Sequence, residues 1–222
     1  MGMGITMGMN AALFLAIWIA MMAAMMFPAA APMILMFDRV QAGKQRQGQA
    51  VVSTWIFVGV YLALWGVVGV VAYVAATLAQ DLGSSVSWMG DNGPRFGGIL
   101  LIGAGAYQVT PLKRACLAKC RSPFTFIMMS WRDGAMGAVR MGLTHALYCI
   151  GCCWLLFAIL FPLGMMNIAI LAVVTALIFA EKSLPGGDRM AWAIAAVLVV
   201  YGAAVLIAPG LLPLQPPAGK MM

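Results

Sequence analysis

The stretch His145-Ala-Leu-Tyr-Cys-Ile-Gly-Cys-Cys-Trp154 holds the one histidine of the chain and three of its five cysteines, inside a long apolar run. On an α-helix each residue advances about 100°, so with His145 at zero Cys149 falls at about 40°, Cys152 at about −20° and Cys153 at about 80°. All four share one face. Donors at i, i+3 and i+4 on a helix face can be presented together to a metal ion. A lone buried cysteine usually serves as a small hydrophobe, and a lone histidine usually bonds a backbone carbonyl. Ionisable groups clustered at membrane depth mark function instead. His145, Cys149 and Cys152 are therefore read as a metal or redox set, with Cys153 at the edge of the arc.

A second set is soft in the chemical sense. Met21-Met-Ala-Ala-Met-Met-Phe-Pro28 is followed by Pro32, Met33 and Met36. Met22, Met26, Met33 and Met36 fall on one helical stripe. Flexible core packing is the ordinary role of such methionines. Here Met22 and Met26 sit at about the depth expected for Cys149, and Pro28 and Pro32 each remove a helical hydrogen bond, which predicts a broken helix with freed carbonyls. Thioethers beside thiols select Cu(I), whereas a Cys and His set alone also suits Zn(II). Copper is thus the first expected ion and zinc the second.

The third set is Cys116-Leu-Ala-Lys-Cys120. Its spacing puts both sulfurs on one side of a helical turn, and Lys113, Arg114, Lys119 and Arg121 are expected to lower their pKa values. Two ligands do not close a site, so an ion relay point, a reactive pair and a plain interfacial segment all remain open. Glu181-Lys182 reads as an interfacial pair. Met165-Met-Asn167 reads as a loop or an outer entry point for an ion. No Ser/His/Asp arrangement, phosphate-cradling glycine loop or paired membrane carboxylates can be assembled, and one histidine excludes a bis-histidine haem within the chain.

The elements that must position these groups are helical and apolar. Of 222 residues, 64% are hydrophobic and 9% charged, where a soluble domain has about a quarter charged. The expected fold class is all-α, a polytopic membrane protein of about six spans in a single domain. A hydrocarbon layer takes about 20 helical residues, and the segments that answer to this are 10–37, 51–79, 97–112, 135–160, 164–180 and 190–208. The first is expected to be a retained span and not a signal peptide. Gly97, Gly98, Gly103 and Gly105 in the third suit close approach of a neighbouring helix. Residues 209–222, with Pro213, Pro216 and Pro217, read as a flexible tail.

Eleven of the thirteen Lys and Arg residues fall in or beside the loops after spans one, three and five, leaving Arg95 and Lys220 for the other side. That bias predicts three cytoplasmic loops and both termini outside, in a bacterial inner membrane. The net charge of +7 then reports topology, and no nucleic-acid partner is expected. Five cysteines, none in a predicted outer loop, do not suggest a disulfide framework. The outer loop 80–95, with Trp88 and Asp91-Asn-Gly-Pro94, reads as a solvated turn.

Taken together, Met21-Met-Ala-Ala-Met-Met-Phe-Pro28, Tyr107-Gln-x-Thr-Pro-Leu-Lys113, Cys116-Leu-Ala-Lys-Cys-Arg-Ser-Pro123 and Gly142-Leu-x-His-Ala-Leu-Tyr-Cys-x-Gly-Cys-Cys-Trp154 resemble the bacterial family of predicted metal-binding integral membrane proteins of unknown function. Met166-Asn167 and Glu181-Lys182 fit its pattern, and Ala146 stands where many relatives carry glycine. The resemblance covers roughly residues 20 to 185 and implies metal binding without a defined substrate. The expected function is handling of a soft metal ion in the membrane: delivery, sensing or transport between Cys149/Cys152 at mid-depth and Cys116/Cys120 at the inner face. The alternatives are a membrane oxidoreductase, thiol-disulfide or copper-dependent, and a subunit of a larger membrane complex, with another membrane protein or a second copy of the chain as partner.

Overall fold

The computed structural model describes residues 10–86, 88, 92–165 and 167–212, and among these the chain forms helices and no strand. In chain order these are α1 (Ala11–Arg46), α2 (Thr54–Ser85), α3 (Gly93–Gln108), α4 (Pro111–Arg121), α5 (Pro123–Ser130), α6 (Gly134–Ala158), α7 (Leu160–Leu163), α8 (Ile168–Ser183) and α9 (Gly187–Ile207), followed by a 3-10 turn at Pro209–Leu211. Met166, Asp91 and residues 213–222, which include most of the expected tail, lie outside the described residues.

Among the described residues four stretches are long and apolar enough to cross a membrane: α1, Thr54–Gly83 of α2, Gly134–Leu163 and α9. Six were expected, and the difference lies in α3 and α8, each 16 residues long. At about 1.5 Å per residue such a helix is about 24 Å long, short of a hydrocarbon core of about 30 Å. Both are cut by local chemistry. The expected third span ran to 112, but the chain turns at Val109–Thr110 and Pro111, lacking an N–H, opens a new helix. The expected fifth span began at 164, but Gly164 has φ 102°, and Asn167 starts α8 by accepting the N–H groups of Ala169 and Ile170 at 3.0 and 3.3 Å.

A second correction concerns α1. Pro28 and Pro32 do not break it; the helix runs 36 residues with both prolines inside. Asn10 caps its start, its Oδ1 accepting the Leu13 N–H at 2.9 Å, and Lys44 and Arg46 complement the dipole at its end. Tertiary packing of its buried face outweighs the lost hydrogen bonds.

The chain separates into two compact units. The first comprises residues 10–73 and 114–152. Its core gathers Met33 and Phe37 of α1, Phe57 and Val58 of α2, Phe126 and Ile127 of α5, and Ala138 and Met141 of α6. Phe37 and Phe57 stack at 5.0 Å. Two glycines let helices close up here. A Cβ at Gly69 would lie 2.6 Å from Trp18 Cδ1, and one at Gly142 would lie 2.9 Å from the Phe57 carbonyl oxygen. The Trp18 indole N–H donates to the Trp65 carbonyl at 3.0 Å.

The second unit comprises residues 74–113 and, within the described residues, 153–212. Its centre is the pair α3 and α9, joined by small residues as membrane helices often are. Cβ atoms at Gly98 and Gly202 would each come within 3.0 and 2.8 Å of the other's carbonyl oxygen, and one at Gly105 within 2.9 Å of the Ala195 carbonyl oxygen. The glycines of the third expected span thus serve as anticipated, except Gly103, which meets nothing within 4 Å.

Candidate metal centre

Three helices of the first unit bring soft donors together. Cys149 of α6 directs its thiol at the Met26 thioether of α1, sulfur to sulfur 3.9 Å. The hydroxyl of Tyr61, on α2, lies 3.2 Å from the same thiol. With the thiol proton aimed at Met26, the hydroxyl is left to donate to the Cys149 sulfur. Cys149 is 1% exposed and Met22, Met26 and Tyr61 are buried as deeply. Of the methionine stripe, Met26 faces the thiol, whereas Met33 belongs to the apolar core and Met36 is half-buried. Met25, off that stripe, is buried as well.

Cys152 is one helical turn beyond Cys149 and donates its S–H to the Cys149 carbonyl at 3.1 Å. This i to i−3 bond orients the sulfur along the same face. Cys116 reaches α6 too, at Gly151, about 100° around the helix from Cys152. A Cβ built at Gly151 would lie 2.8 Å from Cys116 Sγ, so it is the missing side chain at 151 that lets the α4 thiol seat against α6. Cys152 is close enough to disfavour charge on Cys116. The expectation of a separate inner pair at Cys116 and Cys120 is corrected in this respect: Cys116 lies beside the Cys149–Cys152 segment, while Cys120, one turn further along α4, is half-buried. The electrostatics also differ from expectation. Burial, and after it the neighbouring Cys152, push the Cys116 thiol above its ordinary value, in spite of Lys113, Arg114, Lys119 and Arg121 on the same helix. Desolvation outweighs the field of those cations.

His145 occupies an aromatic box. Its ring stacks on Phe57 and Tyr61, with centroids at 5.8 and 5.7 Å and planes 25° apart, and meets the edge of Phe126 at 5.9 Å. It touches the thiol region through Tyr61, which lies between the imidazole and Cys149. Cys153, 2% exposed, falls in the second unit. None of the five cysteines forms a disulfide. Among the described residues no three His, Cys, Asp or Glu side chains converge on one point, so a ready cage of those types is not what the helix arithmetic produces. The convergence seen is sulfur with sulfur and a phenol.

Tyr61 was not legible as a site residue. It stands in an apolar run with no motif around it, and only the packing of α2 against α6 reveals its role. Glu181 was misplaced by sequence reasoning. Instead of an interfacial pair with Lys182, it forms an ion pair with Lys113 in the second unit, Nζ to Oε2 2.6 Å, with side chains 1% and 2% exposed. Lys182 is also buried. Of the supposed outer entry point, Asn167 is used as the cap of α8 and Met165 is buried.

A family model described as PpoB2, copper chaperone, matches residues 15–205. No curated protein and no solved structure matches the chain.

Proposed function

Because the chain belongs to the PpoB2 copper chaperone family, we propose that it holds Cu(I) inside the membrane on Met26 and Cys149 and passes it along α6 by way of Cys152 and Cys116. The observation that carries this reading is the 3.9 Å separation of the Met26 and Cys149 sulfurs. Two sulfurs bonded at about 2.3 Å to one ion and subtending about 120° are about 4.0 Å apart. The pair therefore accepts a three-coordinate ion without moving a helix. Thioether and thiolate donors favour Cu(I) over harder ions, and zinc, the weaker alternative, asks for four donors of which most are N or S.

Low coordination suits delivery. An ion held by two or three sulfurs can be captured by an additional thiol before it leaves the first, so each transfer exchanges one bond at a time. Binding releases the Cys149 proton, and the Tyr61 hydroxyl then donates to the thiolate that remains. His145, walled in by Phe57, Tyr61 and Phe126, positions Tyr61, and Cys120 is the next sulfur toward the end of α4. Met22 is a reserve donor of the same softness.

Membrane embedding is supported by the four apolar helices and by their uncovered faces. Val67, Val70 and Val71 of α2 are 57%, 47% and 63% exposed, and Val197, Val200 and Ile207 of α9 are 66%, 69% and 86% exposed. Branched apolar side chains in such numbers are at home against lipid. The Lys and Arg at the C-terminal end of α1 favour the cytoplasmic side of a bacterial inner membrane for that end, and the α4–α5 junction shares a cleft with Arg39 near it, so the ion would move inward along α4.

Metal analysis and X-ray absorption on the detergent-purified chain test the reading. About one copper per chain with a sulfur-only shell at about 2.3 Å is expected, lost in Cys149→Ser and weakened in Met26→Leu. Protein loaded anaerobically with Cu(I) that keeps none after desalting, or a shell of nitrogen and oxygen, would refute it.

A further inference from the structure

A cleft of about 490 Å³ opens on the first unit between α1 and the junction of α4 with α5. Its α1 wall is Pro32, Leu35, Met36 and Arg39, the i, i+3, i+4, i+7 stripe of one helix face. Arg121 and Phe124 form the opposite wall. Polarity changes along this stripe. Pro32, Leu35 and Met36 lie toward the middle of α1, and Arg39 lies about 10 Å beyond Pro32 and about 5 Å beyond Met36, nearer the helix's basic end. Leu35 and Phe124 are 57% and 61% exposed, so the apolar part is uncovered.

The charges in the cleft are of one sign. No carboxylate lines it, and the nearest acid on α1, Asp38, accepts the Thr54 hydroxyl at 2.8 Å. The lining also includes the Ser122 and Thr125 hydroxyls. Pro123 opens α5 with no side-chain capping bond, so the first-turn N–H groups of Phe124 and Thr125 add donors outside the helix's own ladder. A guanidinium matches a phosphate in charge and geometry, and two of them line this cleft.

We propose that this cleft seats one anionic glycerophospholipid, with the phosphate on Arg39 and Arg121 and an acyl chain along Pro32, Leu35, Met36 and Phe124. A lipid accounts for both halves of the cleft, whereas a free anion accounts for the arginines alone. The occupied cleft clamps the α4–α5 junction to α1 two helical turns beyond the Met26 position. The proposal rests on membrane embedding but not on copper, and alkaline carbonate extraction of host membranes checks embedding by itself. Protein released by carbonate overturns embedding; protein retained in the membrane that fails the lipid assay overturns the lipid site only.

The full-length chain, purified in detergent, is titrated with phosphatidylglycerol or phosphatidylcholine and read by native mass spectrometry. One phosphatidylglycerol adduct is expected, favoured over phosphatidylcholine by about tenfold or more, because phosphatidylcholine carries the same phosphate together with a choline cation that two guanidiniums repel. Arg39→Gln with Arg121→Gln should bring the two lipids level while copper content stays as in the parent. Should the double variant fail to fold, Arg39→Gln alone, at an exposed position, should lower the preference several-fold. Equal retention of the two lipids by the parent, an undiminished preference in the variants, or displacement of phosphatidylglycerol by millimolar inorganic phosphate overturns the proposal, the last by showing a site for a free anion only.

Discussion

Gly151→Ala separates the seating of Cys116 from the stability of the helices around it. The added Cβ would lie 2.8 Å from Cys116 Sγ and 3.6 Å from its Cβ. Ordinary heavy-atom contacts are about 3.5–4.0 Å, so the sulfur must retreat by roughly 1 Å while the rest of Cys116 can stay. The cheapest retreat is a change of χ1, which swings Sγ by about 3 Å into another staggered well. Overpacking of a rigid neighbour costs about 1–3 kcal/mol, but a single swinging sulfur lies at the bottom of that range. Alanine in a helix interior regains about 0.5–1 kcal/mol over glycine. The two effects nearly cancel, and the thermal midpoint should move by only a few degrees. Transfer should not be so spared. With Cys116 turned away from α6, copper that has reached Cys152 loses its next thiol, and its rate of passage to a soluble Cu(I) chelator should fall about tenfold, close to the rate of Cys116→Ser. Maleimide labelling of Cys116 reports the rotation directly and should change in the alanine variant. If labelling changes and the chelator rate does not, Cys116 is no station on the path. If neither changes, the packing of α4 on α6 argued above is wrong.

Tyr61→Phe removes the hydroxyl 3.2 Å from the Cys149 sulfur; a hydrogen bond of about 1 kcal/mol predicts copper retention about fivefold weaker in competition with a chelator, with the stacking on His145 preserved. Glu181→Gln leaves the Lys113 ammonium buried without its counter-charge and should cost about 3–5 kcal/mol; Lys113→Met with Glu181→Met should recover most of it, which thermal unfolding in detergent compares. In the second unit Gly202→Ala sets a Cβ 2.8 Å from the Gly98 carbonyl oxygen and 3.0 Å from the Ile102 nitrogen. Backbone cannot swing aside, so a loss of about 1–3 kcal/mol is expected, whereas Gly103→Ala, which meets nothing within 4 Å, should be neutral or stabilising in the same assay.

The contrast between those two glycines shows where sequence reading stops. Gly98, Gly103 and Gly105 are equivalent as letters in an apolar run, and only the path of α9 decides which of them is pressed against a backbone. Pro28 and Pro32 make the same point in the opposite direction. Their local chemistry argues for a break, yet the buried face of α1, from Phe14 through Met33 to Phe37, holds the helix straight through both. Span lengths were legible wherever the apolar run was long, and misjudged at residues 109–112 and 164–167, where one proline and one glycine outweigh hydropathy.

Sequence by itself determined that the chain is helical and apolar, and that His145, Cys149 and Cys152 share a helix face. Each of these follows from hydropathy or from the 3.6-residue period, and both are properties of neighbours in the chain. The tertiary structure decided the rest. It chose Met26 from the methionines to meet Cys149, placed Tyr61 between that thiol and His145, seated Cys116 at the bare backbone of Gly151, and matched Lys113 with a glutamate 68 residues away. These contacts join helices distant in sequence. They depend on where one side chain stops short of another, a distance of a few tenths of an ångström that no spacing along the chain records.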